Sequence, residues 1–97
     1  MVRNRLLEKL LKQRVKIVFC HLRSCLGESD SPPKTVWIDL RKNTNPARVF
    51  MHELFHLYYP EMSEKEVRAR EWRLWKRTTA YERWLIGRRL FKSNWRE

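Results

Sequence analysis

Both ends of a helix are written into the stretch "NTNPARVFMHELFHLYYP", residues 43–60. Asn45 can accept a hydrogen bond from the unpaired N–H groups of a first turn. Pro46 suits the first helical position, where no donor is required, and Pro60 cannot continue the run. At about 100° per residue, with His52 set at 0°, His56 falls at about 40°. Phe50, Leu57, Leu54, Ala47 and Tyr58 fall between about 140° and 240°. A core can therefore grip one side of this helix while two imidazoles face a cleft. The rest of the chain has to cover the apolar side and leave the histidine side open.

The other segments are suited to that task. "NRLLEKLLKQR" (Asn4 to Arg14) puts Leu6, Leu7, Leu10 and Leu11 on one helical stripe, with charges opposite. "VKIVFC" (Val15 to Cys20) and "TVWIDL" (Thr35 to Leu40) are β-branched and aromatic, and read as strands. Between them, "LRSCLGESDSPPK" (Leu22 to Lys34) has a turn-rich middle, with its first half able to pair as an irregular strand. After Pro60, Ser63 and Glu66 form the S-x-x-E capping box of a new helix, with Val67, Leu74 and Trp75 as its apolar set. A second box, Thr79 with Glu82, predicts a break near Thr78 and a last helix to about Phe91, packed through Trp84, Leu85 and Leu90. "KSNWRE" is expected to fray. The expected fold is α+β: a small sheet, an N-terminal backing helix, the histidine helix, a glutamate-bearing helix and a C-terminal helix.

Ninety-seven residues leave room for one domain, residues 1–97. No apolar run reaches the length of a membrane span. The N-terminal "MVRNRLLEKLLKQR" carries charges where a signal peptide needs an apolar core, so a cytoplasmic protein without membrane contact, acting as a monomer, is expected. Two cysteines, Cys20 and Cys25, are too few for a disulfide-stapled fold, and "CHLRSC" lacks metal-ligand spacing. The charge is one-sided: 22 Lys and Arg against 11 Asp and Glu, with half of the basic residues but only 4 of the acidic ones between Lys65 and Glu97. Such a balance favours polyanions or acidic protein partners.

His52-Glu53-Leu54-Phe55-His56 is an H-E-x-x-H sequence. Histidines at i and i+4 on a helix lie one turn apart and can clamp one zinc ion, at Zn–N distances of about 2.0 to 2.1 Å. Glu53, about 100° away, would not bind the metal but could take a proton from a water as general base and pass it to a leaving amine. A hydrolytic zinc site needs three protein ligands. The third is commonly a carboxylate from a following helix, and here Glu64, Glu66 and Glu71 are available. Glu64 ranks first because it stands in the first turn, nearest the returning helix. Glu66 already has a capping partner, and Glu71 is farther along the same face as Glu64. The plain alternative is a solvated helix with two surface histidines, followed by acids that merely complement a helix N-terminus.

The run "TVWIDLRKNTNPARVFMHELFHLYYPEMSEKEV" resembles the core of minimal gluzincin metallopeptidases (minigluzincins) and of the related SprT-like zinc peptidases. The similarity spans roughly Cys25 to Leu74 and includes "LGESD", which resembles the segment forming the upper rim of the cleft in such folds. The resemblance implies one zinc per chain held by His52, His56 and Glu64, Glu53 as general base, and a protein or peptide substrate. It departs from the pattern at Arg68, where gluzincins often carry an acid that orients a histidine. Asp39 is a candidate for that duty, and Tyr58, Tyr59 and Tyr81 are candidates for stabilising an oxyanion. An extended substrate would add as a strand along "SCLGESD".

A second reading is a basic nucleic-acid module. Arg68, Arg70, Arg73, Lys76, Arg77, Arg83, Arg88 and Arg89 are interleaved with Trp72, Trp75 and Trp84, although tryptophans at helical spacing in a short chain are more often core. The two readings can coexist as a peptidase with weak nucleic-acid contact through its basic C-terminal half, since SprT-like peptidases act on proteins attached to DNA. A third is a latent peptidase whose C-terminal helix lies over the cleft.

Overall fold

The computed structural model describes residues 4–20, 27–30, 34–39 and 45–95. Helix α1 spans Arg5–Leu11 and is followed by strands β1 (Lys16–Phe19), β2 (Gly27–Asp30) and β3 (Thr35–Ile38). Helices α2 (Pro46–Tyr58), α3 (Glu64–Arg77) and α4 (Ala80–Trp95) complete the order. The fold is α+β, as the sequence leads one to expect.

The three strands form one mixed sheet in the order β1-β3-β2, with β1 and β3 parallel and β2 antiparallel to β3. Ile17 pairs with Val36, and Val36 with Ser29, so these three residues share a face. That face is buried, Ile17, Val36 and Ile38 each being no more than 1% exposed. Helix α2 lies against β2 and β3, whereas α4 packs on α2 and on β1 at the other edge. A stacked pair, Phe19 with Phe91, joins α4 to β1. Leu7 and Leu10 close the core through α1, which packs on α2, and Ile86 and Leu90 close it through α4.

Several expectations shift in detail. The strand between the two apolar ones lies at Gly27–Asp30, inside the stretch read as turn-rich. Its backbone pairs with β3, although "GESD" has none of the usual strand formers. The buried side of α2 carries Phe50, Met51, Leu54 and Phe55, turned toward Met51 and Phe55 relative to the expected arc. Leu57 is half-buried and Tyr58 is exposed. In α4 the packing residues are Ile86 and Leu90, while Trp84 is 56% exposed. The helix also continues past Phe91 to Trp95.

The caps form as read. Asn45 accepts from the Arg48 N–H, and Ser63 and Glu66 close a capping box. Thr79 and Glu82 exchange bonds in the same way, Thr79 N–H to Glu82 at 2.9 Å and Glu82 N–H to the Thr79 hydroxyl at 3.1 Å. Glu82 also accepts from the Asn4 N–H at 3.2 Å, so this buried carboxylate ties the start of α1 to the start of α4. No described helix is long and apolar enough to cross a membrane. Cys20 forms no disulfide among the described residues, and Cys25 lies outside them.

Candidate metal centre

His52 and His56 leave α2 one turn apart, with ring centroids 4.9 Å from each other and planes at 69°. Their Nε2 atoms converge to 3.2 Å. The turn after Pro60 and the Ser63 cap start α3 beside them, which puts Glu64 across from both rings. Its Oε1 lies 2.6 Å from His52 Nε2 and its Oε2 lies 2.8 Å from His56 Nε2. His52, His56 and Glu64 thus offer ligand atoms all within 4.8 Å of one another, a cluster that can hold a metal ion. A tetrahedral centre with bonds of about 2.0–2.1 Å has ligand–ligand edges of about 3.3 Å. The histidine–histidine separation already matches that edge. The two glutamate approaches, at 2.6 and 2.8 Å, are shorter, as in direct ion pairs, and need to open by about 0.5 to 0.7 Å to admit an ion. Glu64 is half-exposed and the rings only partly buried, so the cluster faces solvent.

The two other acids of α3 have separate partners. Glu66 is occupied by the Ser63 N–H at 3.4 Å and the Ser63 hydroxyl at 3.0 Å. Glu71 is buried, 7% exposed, and takes the Arg48 guanidinium on Oε2, from Nε at 3.0 Å and Nη2 at 2.7 Å. Its Oε1 lies 3.5 Å from His52 Nδ1. Asp39 is fully buried just after β3, but the carboxylate facing His52 Nδ1 is that of Glu71. Arg68 pairs with Glu64 itself, at 3.5 Å. Neither Arg48 nor Glu71 stood out in the sequence for this contact. The available signal was spacing: Arg48 is one turn before His52, and Glu71 two turns after Glu64.

Glu53 leaves α2 about 100° around from His52, between the sheet and the cluster, is 7% exposed and is close enough to interact electrostatically with His52, His56 and Glu64. Burial pushes its carboxyl above the ordinary value, against the pull of a hydrogen bond from the Ser29 hydroxyl on β2 and of the two histidines. Ser29 can reach it because it shares the helix-facing side of the sheet with Val36. For His52, burial works to lower the pKa, but the Glu71 contact and the charges of Glu64 and Glu53 outweigh it and the ring is raised. Glu64 also loses some solvent, yet the two histidines hold it below the ordinary carboxylate value.

Of the tyrosines, Tyr58 packs edge-on against Tyr59 and Tyr59 stacks on Phe55, while Tyr81 stacks on Trp84. Of the tryptophans, Trp72 is 48% exposed and lies under Arg48 and Lys76. Trp84 lies under Arg88, and the half-buried Trp75 under Arg83. Two of the three rings expected in the core are therefore on the surface. Comparison with protein-family profiles, with curated proteins and with solved structures finds no match to the chain in any of the three, so the chemistry of the cluster has to be read from its own atoms.

Proposed function

We propose that the chain is a zinc-dependent metalloendopeptidase. The observation that carries the reading is the convergence of His52 Nε2, His56 Nε2 and both oxygens of Glu64 from two helices. Two imidazoles and one carboxylate are a borderline-soft donor set suited to zinc, and a three-residue set leaves a position for water and substrate. Zinc, when bound, supplies Lewis-acid polarisation of the scissile carbonyl and lowers the pKa of the attacking water.

The chain's own groups do the proton work. Glu53 adjoins a ligand in sequence, and burial raises its basicity. It accepts a proton from the water as the oxygen attacks the carbonyl carbon, then delivers that proton to the amine nitrogen as the C–N bond breaks. Ser29 holds the Glu53 carboxylate from β2, an edge strand next to α2. A peptide lying along that edge would be held by main-chain hydrogen bonds near the base. Helix α4 packs at the β1 edge, which speaks against a latent form closed by that helix. Metal analysis of protein purified without added zinc tests the reading directly: about one zinc per chain is expected, and its absence from a His52→Ala, His56→Ala variant assigns the site. An undiminished metal content in that variant would sink it.

A weak nucleic-acid contact through the C-terminal half is a compatible second activity. It is supported by Trp72, Tyr81 and Trp84, all about half-exposed among basic side chains.

A further inference from the structure

A histidine that binds a metal through Nε2 has to keep its ring proton on Nδ1. In water the neutral imidazole prefers the opposite arrangement, so a good ligand needs a fixed acceptor at Nδ1. An acid one turn after Glu64 could provide it, but Arg68 stands there and pairs with Glu64. The acceptor is found two turns along α3 instead. Glu71 turns one oxygen to His52 Nδ1 at 3.5 Å and gives the other to Arg48, at 2.7 and 3.0 Å.

We propose that Glu71, locked by Arg48, is a positioning residue that fixes the Nδ1–H tautomer and the ring orientation of His52, so that the Nε2 lone pair points at the metal. The proposal rests on the metal-site reading above. Arg48 has two effects here. It neutralises a carboxylate that is almost completely buried, and it occupies the oxygen that could otherwise swing toward the ion as a competing ligand. Arg48 is itself held in place: its N–H is capped by Asn45, and its guanidinium lies 4.9 Å over the Trp72 ring. The 3.5 Å approach is longer than a good hydrogen bond. The two ring nitrogens aim in widely divergent directions, however. A shift of the ring away from Glu64 to admit an ion would therefore bring Nδ1 closer to Glu71.

The test uses Glu71→Ala and the nearly isosteric Glu71→Gln in the full chain, with two readouts. Zinc affinity is measured by competition with a chelator, and the His52 tautomer by ring-nitrogen NMR of the metal-free protein at alkaline pH in a Glu64→Ala background, which removes the competing acceptor 2.6 Å from Nε2. Loss of such an outer partner costs about 10- to 100-fold in metal affinity. Glu71→Ala should show a loss in that range with the ring proton moving to Nε2. Glu71→Gln, whose amide oxygen can still accept, should retain more of both, and it stands in if the alanine variant does not fold. A tautomer unchanged in both variants overturns the proposal, even if zinc affinity falls, because Glu71 would then be structural only. If the unmodified protein binds no zinc, the peptidase reading fails, while the metal-free tautomer still decides what Glu71 does.

Discussion

Glu53 and His52 are neighbours in sequence whose side chains leave α2 about 100° apart, and that angle separates their work. His52 turns to the metal cluster, whereas Glu53 turns to β2 and accepts from Ser29. Glu53→Gln should therefore keep zinc content and lose peptide hydrolysis by about 10²- to 10⁴-fold, the usual span for a general base; parallel assays of metal content and turnover check this. The same groups set a pH dependence. His52 and Glu53 both have raised pKa values in the folded chain, so the stability linked to each is present below its unfolded value and is lost as pH rises through its folded value. Glu64 and Glu71 are lowered, and their contribution is present above the ordinary carboxylate value and lost as pH falls through the folded one. The metal-free protein should accordingly become less stable as pH rises through the His52 transition. Zinc reverses the slope, because it needs the neutral ring and binds more tightly as that proton leaves. Thermal melts with chelator and with zinc should thus diverge as pH rises; parallel curves would argue against His52 as a ligand.

The helix boundaries were the most legible elements, because each is a local chemical event. Asn45, Ser63 and Thr79 each offer a side-chain oxygen to a first turn, and each helix starts where that oxygen sits. Strand β2 was legible only in part: an irregular strand was expected in the first half of Leu22 to Lys34 and is found at Gly27–Asp30, since what makes "GESD" a strand is the partner it finds in β3, not its own residues. The buried face of α2 was read with a rotation, because which flank of an apolar arc is covered depends on where the sheet and α1 come to rest. The metal cluster lies between these cases. Its histidine pair is fixed by helical spacing, but the choice among Glu64, Glu66 and Glu71 depends on how α3 leaves the Pro60 turn. Glu64→Ala should abolish or severely weaken zinc binding. Glu66→Ala should leave affinity nearly unchanged and instead cost about 0.3–1 kcal/mol in urea unfolding, the range for an acid in a first helical turn, since the Ser63 hydroxyl still caps the Glu66 N–H. Zinc lost with Glu66 and kept without Glu64 would mean that the wrong carboxylate has been assigned.

Charge belongs to the whole molecule, and here it is large: a net +11 on 97 residues. Arg70, Arg73 and Arg77 fall on one exposed face of α3, about 120° to 180° around the helix from Glu64. Trp84 and Tyr81 stack on each other on α4, with Arg88 over the Trp84 ring. Sequence alone made core packing the better guess for Trp84. On α4 it is Ile86 and Leu90 that are buried, while Trp84 is 56% and Tyr81 50% exposed. Cations beside open aromatic faces suit a single-stranded nucleic acid, with phosphates on the arginines and bases on the rings. Each neutralised phosphate releases counterions, giving a log–log salt slope of about −0.7 per contact on single strands. Binding to an unrelated set of short single-stranded oligonucleotides should therefore be weak, indifferent to sequence and largely gone above about 0.2 M salt. Replacing Arg70, Arg73 and Arg77 by Gln should flatten that slope, and Trp84→Ala should weaken binding at fixed salt by about 1–3 kcal/mol if a base stacks there. Hydrolysis of a small uncharged peptide should be unaffected by either change, because the histidine cluster lies on a different face of α3. No binding at any salt would leave the positive face as a dock for acidic protein segments. Tight, salt-resistant and sequence-selective binding by a protein that holds no zinc would instead make nucleic-acid recognition the primary activity, with His52 and His56 incidental to it.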